Sequence, residues 1–520
     1  MEMDRYTKYT LWLIAVSFAI RFFGAAVTEL GNDEVYYYLY ALYPDWSHFD
    51  HPGMVGWIIQ LFTLNLLFDS ELALRMPSLV LGSAGIWIAY RTGTLLSGKR
   101  CGFFTAMLYA ASIYASVICG LFIMPDTPQS FFWLLSMYFF LKAFKYSSGK
   151  AMIAAGFFTG LAFLSKYTSV FLWSGAGLYV LLCDRAWLKR KELYMAAAVT
   201  LFCSLPVAVW NIQNDFISLA FHSGRVTGTS LRPDYFGREL AGEFFYNNPI
   251  VFVITFLAVL SFFRKKVYSG KRETAFLVLT ALPFILLFWI FALQRATLPH
   301  WTGPAYITLI PLAAMFIDGR TSPEKAVNPY AAASAILAAM LVPLAVLQIN
   351  TGIMDFGGGD RKPLGKDDFT LDMYGWEQFA GQFENPGGDP IVSCRWFPAA
   401  HLDYYVARSS GVPLYCFGPL DEIHKYKWIN QARGIPEEGS DAWYITTGRT
   451  FRDPRDLFSP GNGYSEYSYA QITPADTVEI YRRGKHVSDF YVYRMEGLEK
   501  GGLQPMQASA VKPRRPCLPL

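Results

Sequence analysis

About eleven apolar runs, most of them close to the 20 residues a helix needs to cross a bilayer, fill the first 350 positions of this 520-residue chain. They fall near 10–28, 72–96, 101–123, 127–144, 151–165, 167–183, 193–210, 249–263, 274–293, 302–317 and 329–349. A chain that places this much apolar sequence in this rhythm must satisfy its backbone inside lipid, and helices do so within each segment. Composition agrees. Hydrophobic residues make up 53% and charged residues 17%, against about a quarter charged in soluble domains. The mean hydropathy is +0.24. A disordered chain, a disulfide-framework domain and an ordinary soluble enzyme are excluded.

The loops carry the orientation. Lys and Arg collect at 97–100, 142–150, 185–191, 264–272 and 320–325, whereas none occurs from Thr28 to Leu74. The positive-inside rule then predicts a cytoplasmic N-terminus, with outward loops at 29–71, 124–126, 211–248 and 294–301. With eleven spans, everything after about 350 also faces outward. Arg21 inside the first run favours an uncleaved helix there, although Gly24-Ala25-Ala26 could pass for a signal cleavage site. The stretch 53–68, broken by Gly53, Gly56, Gln60 and Asn65, reads as an interfacial helix. The net charge of +4 forms no basic stripe, so no nucleic-acid partner is expected. Gly93 to Lys99 imitates a P-loop, but Arg100 stands where Ser or Thr is required and no strand precedes it.

Residues 351–500 differ in kind. Short apolar runs at 391–394, 414–417, 443–446 and 490–493 read as strands, with a helix over 399–407. They predict a small α/β domain outside the membrane, followed by a disordered basic tail over 501–520. Cys101, Cys119, Cys183 and Cys203 lie in apolar runs and read as buried hydrophobes. Cys394 and Cys416 lie on two of the expected strands. They form either a disulfide or two buried thiols, because spacing cannot fix their separation.

The residues that carry chemistry concentrate in the outward loops. Asp33 and Glu34 follow the first span directly, ahead of an aromatic run, and Asp50, His51 and Pro52 follow on the same loop. Ionisable groups at membrane depth are functional candidates by default. The plainer alternative is an acidic helix cap. Asp126 lies between Pro125 and Pro128, where it is either a functional acid or an N-cap. Lys166, Arg225 and Arg295 are outward cations that together suit an anionic group such as a lipid phosphate. Singly, each is more often a surface residue. Asp50 and His222, with His51 nearby, are candidate ligands for a divalent ion (zinc, manganese or magnesium), and a hydrogen-bonded Asp–His pair is the alternative.

In order along the chain, Asn32-Asp33-Glu34-Val35-Tyr36-Tyr37, Trp46 to Pro52, Pro125 to Pro128, Gly160 to Thr168 and Leu298 to Trp301 resemble the polyprenyl-phosphate-sugar-dependent glycosyltransferases of the GT-C fold. The resemblance is to family 39, which includes protein O-mannosyltransferases and bacterial lipid A aminoarabinose transferases. It implies an α-helical polytopic GT-C domain over 1–350 and an inverting transfer on the non-cytoplasmic face of a bacterial inner membrane. The donor would be a polyprenyl-phosphate sugar, and the acceptor a lipid-linked glycan, lipopolysaccharide or protein. It puts the acidic pair on Asp33 and Glu34, the second-loop acid on Asp126, and a His-x-x-Arg on His222 and Arg225. The relatives carry an acid-Lys-Pro motif where this chain has Asp50-His51-Pro52, so a phosphate-binding charge at His51 requires a protonated imidazole. Lys166 or Arg225 can supply the missing charge.

The chemistry is arguable without the family. A leaving lipid phosphate gains charge as its glycosidic bond breaks, and oriented cations stabilise it. The acceptor needs a carboxylate to take its proton, and Asp33 is the expected base. Inversion places that base opposite the leaving group. A transporter of lipid-linked saccharides is the competing class, but it calls for ionisable groups within spans and for repeated halves. An outward-facing sensor calls for loss of the acidic pair.

Overall fold

The computed structural model describes residues 3–226, 230–264, 272–356, 363–385 and 387–501, the side chains of 225 and 226 excepted. The expected tail beyond Gly501 lies outside the described residues. The chain divides into two compact units. One comprises Met1–Val27 and Tyr40–Leu344, and the other comprises Thr28–Leu39 together with the chain from Ala345 onward. The loop after the first helix is therefore shared, with Asp33 and Glu34 on the second unit and Asp50 and His51 on the first.

The first unit is helical. Each of the eleven apolar runs forms helix, but eleven spans are not confirmed. Five helices among the described residues are long and apolar enough to cross a membrane: Arg5–Ala26, Glu71–Ser97, Lys191–Gln213, Thr274–Ala292 and Pro329–Thr351. Pro233–Tyr246 and Pro249–Phe263 meet at a 104° bend and make a sixth if they count as one broken span. Gly149–Phe163 and Tyr167–Leu182 are apolar but short. At 1.5 Å per residue, 15 residues rise only about 22 Å, less than the roughly 30 Å hydrocarbon core. The run at 101–123 also breaks. The helix Lys99–Ala111 ends where Ser112 turns extended, and a π-helical turn, Tyr114–Ile118, follows.

Sequence explains the ends. Ser70 and Ser148 accept the backbone N–H groups of Ala73 and Ala151 and cap the helices that follow them. Gly98, at φ 92°, ends Glu71–Ser97 in a conformation costly for any side chain. Two buried polar side chains tie helices of the bundle together. Arg21 donates to the Gly120 carbonyl at 3.0 Å and to Ser83 Oγ at 2.9 Å. Asn248 Nδ2 bridges the carbonyls of Ala111 and Ser334 at 3.1 and 3.0 Å. In place of the expected interfacial helix over 53–68, Met54–Phe62 is helical, and Leu64, Asn65 and Leu66 all take positive φ in a tight turn.

The second unit contains a five-stranded sheet in the order β2-β1-β3-β5-β4. Its strands are β1 (Ile391–Ser393), β2 (Leu414–Cys416), β3 (Ala442–Thr447), β4 (Tyr467–Arg482) and β5 (Lys485–Lys500). β1 pairs in parallel with β2 and β3, while β5 runs antiparallel to β3 and β4. All four expected strands are present. β4 was not expected: its exposed half is polar, and only the two-residue turn Arg483-Gly484, both at positive φ, marks it as a hairpin partner. Cys394 and Cys416 are both buried free thiols. Cys394 packs with Tyr415 and Phe417, and strand alternation turns Cys416, which lies between those two, to the opposite face.

The aromatic run after Glu34 packs within this same unit. Tyr36 lies 5.0 Å from Trp396 and Tyr38 lies 5.1 Å from Tyr404, measured between ring centroids. The Leu30 N–H donates to Tyr405 Oη at 2.7 Å, and His401 Nε2 donates to the Leu30 carbonyl at 3.0 Å. The Glu29 carboxylate accepts the N–H groups of Trp376 and Glu377 at 2.9 and 3.2 Å, at the start of a short helix.

Candidate active site

Within the helical unit, loops distant in sequence converge. The turn 48–51 closes through His48 N–H to the His51 carbonyl at 3.0 Å. The Met54 N–H donates to the Leu164 carbonyl at 3.2 Å, which ties this loop to the segment carrying Lys166. Trp210 Nε1 donates to Asp45 Oδ2 at 2.8 Å, and Phe49 stacks on Phe221 at 4.3 Å. Three segments expected on the outward side therefore meet around Asp50, His51 and Lys166.

The centre is a buried ion pair. Lys166 Nζ donates to both oxygens of Asp126, at 3.0 Å to Oδ1 and 2.8 Å to Oδ2. The two side chains are 8% and 1% exposed, so both have given up solvent and each depends on the other. Tyr114 Oη adds a third donor to Asp126 Oδ1 at 3.0 Å. An ammonium has three N–H bonds, and its contacts with the one Asp126 carboxylate leave at least one for another acceptor. Asp126 is the first residue of the helix Asp126–Tyr146, whose N-cap position falls on Pro125, so its carboxylate does not cap the helix and is bound by side chains from elsewhere.

His51 lies within electrostatic reach of Asp50, Asp126, Lys166 and His222. The residue as a whole is half-buried, and burial pushes the pKa of its ring down to about 3. Asp50 opposes that shift and Lys166 reinforces it. His51 is thus a neutral imidazole at pH 7 in this arrangement and offers one N–H rather than a charge. His300 is similar: burial lowers it to about 4, against the field of Asp126.

The candidate metal ligands are arranged differently from a coordination shell. His222 Nε2 donates to the Asp50 backbone carbonyl at 2.9 Å, and Tyr40 Oη donates to the Asp50 carboxylate. Among the described residues no group of three or more His, Cys, Asp or Glu side chains is disposed to hold a metal ion. With that His222 nitrogen turned to a carbonyl, the pair as it stands does not fit an ion.

The remaining candidates separate. Arg295 is exposed and donates to the Gly224 carbonyl, and no described contact joins it to Lys166. The side chain of Arg225 lies outside the described residues. Asp33 is half-buried in the first turn of Asn32–Leu42. Glu34 is buried and accepts the Gly31 N–H at 2.9 Å, the return bond of a helix cap. Sequence reading missed Tyr40 and Tyr114. Tyr40 sat unremarked in the aromatic run, and Tyr114 is one apolar residue among many in a predicted span.

The architecture is the GT-C fold, with a C-terminal sheet-containing domain. Across 94% of this chain and 98% of the other it superposes on ArnT from Cupriavidus metallidurans, crystallised bound to undecaprenyl phosphate, with a TM-score of 0.61 and 15% identity. Residues 50–210, which hold Asp50, His51, Asp126 and Lys166, match the family described as dolichyl-phosphate-mannose-protein mannosyltransferase. The chain is 24% identical over 305 residues to the lipid A galacturonosyltransferase RgtD of Rhizobium johnstonii. That alignment covers 58% of this chain and 62% of the relative's length.

Proposed function

We propose that this membrane protein is an inverting glycosyltransferase that takes a sugar from a polyprenyl-phosphate donor and passes it to lipid A or another lipid-linked glycan. The observation that carries the reading is the buried Lys166–Asp126 pair beside a neutral His51, inside the stretch that matches the family. Lys166, held by Asp126, keeps one N–H for a phosphate oxygen, and His51 contributes a neutral hydrogen bond. In the transfer, the bond from the anomeric carbon to the phosphate oxygen breaks and its electron pair leaves with the lipid phosphate. The acceptor oxygen bonds the anomeric carbon from the opposite face, and its proton passes to a carboxylate. Asp33 is assigned as that base from its place in the family's acidic pair, with Glu34 holding the local loop. Both oxygens of Asp126 are engaged, which argues against its serving as the base. Arg225 and Arg295 remain candidates for longer-range attraction of the phosphate. No step runs through a metal ion. Asp50 and His222 act in this reading as the hydrogen-bonded pair that shapes the loop.

The site faces the periplasm in this reading, with the N-terminus cytoplasmic and the C-terminal domain periplasmic, because basic loops alternate with loops poor in Lys and Arg. Reporter fusions at Lys145 and Gly387 should then report opposite sides. The function is tested by incubating the purified protein with a panel of polyprenyl-phosphate sugars and a lipid A acceptor, and measuring free lipid phosphate and glycosylated product by mass spectrometry. Release of lipid phosphate with a mass gain on the acceptor supports the reading. Movement of intact donor across proteoliposomes without bond cleavage would replace it with a transporter.

A further inference from the structure

We propose that Tyr114 is a positioning residue for transfer: a π-helical turn delivers its hydroxyl to Asp126, and through Asp126 it fixes where the Lys166 ammonium points. The inference rests on the transferase reading above and goes beyond the motifs that led to it, because Tyr114 belongs to none of them.

The local backbone is built around this residue. Lys99–Ala111 is a regular helix, Ser112 breaks it at φ −65°, ψ 123°, and the chain rewinds with a Cys119 N–H to Tyr114 carbonyl bond of 2.9 Å, five residues apart. Such turns are rare in general and frequent at functional sites. Here the turn opens on Tyr114, which has no exposed surface. Its ring also needs room, and the start of the helix Gly303–Asp318 supplies it. A Cβ at Gly303 would lie 2.4 Å from the Tyr114 ring, so only glycine allows this approach without displacement.

A buried tyrosine hydroxyl always needs a partner, and a carbonyl would suffice. Tyr114 instead donates to a carboxylate already bound twice by an ammonium, at 3.0 Å. Its effect is directional. With Lys166 shared between the two oxygens and Tyr114 held on Oδ1, the carboxylate has a favoured rotation, and it holds the Lys166 ammonium in place. Without the hydroxyl, the pair survives but turns more freely. The cation then reaches the leaving oxygen less often in the right geometry, a loss felt in the transition state more than in donor binding.

A double-mutant cycle tests this. Tyr114→Phe, Asp126→Asn and the double variant are purified in detergent, checked for monodisperse elution, and assayed for transfer and for affinity to undecaprenyl phosphate. Removing a hydrogen bond to a charged group should lower kcat by about 10- to 100-fold, with donor KM changed by less than about threefold. In the Asp126→Asn background the same Tyr114→Phe change should cost less than about twofold, since it acts through Asp126. Gly303→Ala, which displaces the ring but keeps the hydroxyl, should reproduce the kcat loss and supplies the measurement if Tyr114→Phe does not fold. Unchanged kcat in Tyr114→Phe, or effects that multiply independently across the cycle, would overturn the inference. If the wild type turns over no donor on the panel, the transferase reading falls. The positioning role, which is a role in transfer, then falls with it, whereas a wild type that turns over beside a Tyr114→Phe variant of unchanged kcat ends the positioning role alone.

Discussion

The two units each bury an aspartate gripped by a cation and a tyrosine, and the pairs are nearly superposable in their bonding. In the helical unit Asp126 receives Lys166 at 3.0 and 2.8 Å and Tyr114 at 3.0 Å. In the sheet-containing unit Asp403 receives Arg433 Nη2 at 2.9 and 2.8 Å and Tyr426 at 3.0 Å. The difference is the cation. Arg433 also donates through Nη1 to the Leu414 carbonyl at the start of β2, so its planar fork is spent on holding a helix to a strand. Lys166 is a point charge with an N–H to spare, and two neutral histidines stand near it. Similar geometry makes a clamp in one place and a candidate phosphate site in the other. A buried ion pair alone therefore identifies neither.

The largest expected effect cuts across that contrast, because Asp33 belongs to the sheet-containing unit. Asp33→Asn keeps the shape and removes the basicity, so turnover should fall by about 10²–10⁴-fold with lipid-phosphate binding retained. Wild-type turnover in a folded Asp33→Asn protein would move the search for the base elsewhere. The cation swap sharpens the contrast itself. Lys166→Arg should keep the fold, because Arg can grip Asp126 with both arms. It should nevertheless cut kcat by about 10- to 100-fold, since the charge is spread over a fork committed to that carboxylate. Arg433→Lys should do the reverse, leaving kcat unchanged while lowering thermal stability by about 1–2 kcal/mol through the lost carbonyl bond. A stability loss without a kcat change in Lys166→Arg would make the first pair a clamp as well.

A smaller effect separates the units by pH. Burial raises the Glu29 pKa to about 7 from an ordinary 4.5, with the Trp376 and Glu377 N–H groups opposing the shift. Between those values the unfolded chain ionises at Glu29 while the folded one keeps its proton, so stability falls as pH rises through this window. Melting followed by tryptophan fluorescence should show a lower Tm at pH 8 than at pH 5, and Glu29→Gln should flatten that dependence. An unchanged slope in Glu29→Gln would assign the titration to another group. The smallest expected effect is none: exhaustive chelation should leave transfer intact, since His222 is turned to the Asp50 carbonyl. Loss of activity on chelation with recovery on adding zinc or manganese would restore the ion to Asp50 and His222.

The sequence by itself determined a good deal. Apolar runs and their flanking Lys and Arg specified a polytopic helical unit, because lipid admits few alternatives for an unbroken apolar segment. Short β-rich runs after 350 announced the sheet. Asp50, His51, Asp126 and Lys166 were legible as candidates because charged groups stand out against apolar sequence. Only the tertiary structure decided which of these meet. The Asp126–Lys166 pair joins residues 40 positions apart, and nothing in either motif fixes its partner or the two bonds between them. The assignment of 28–39 to the second unit came from aromatic packing, which a run of tyrosines permits but does not aim. Helix breaks also needed the structure, because hydropathy measures the length of an apolar run and not where its helix ends, as it does at Ser112. Tyr114 was invisible for the same reason: its role depends on a turn of backbone, and backbone turns inside apolar sequence leave no residue pattern to read.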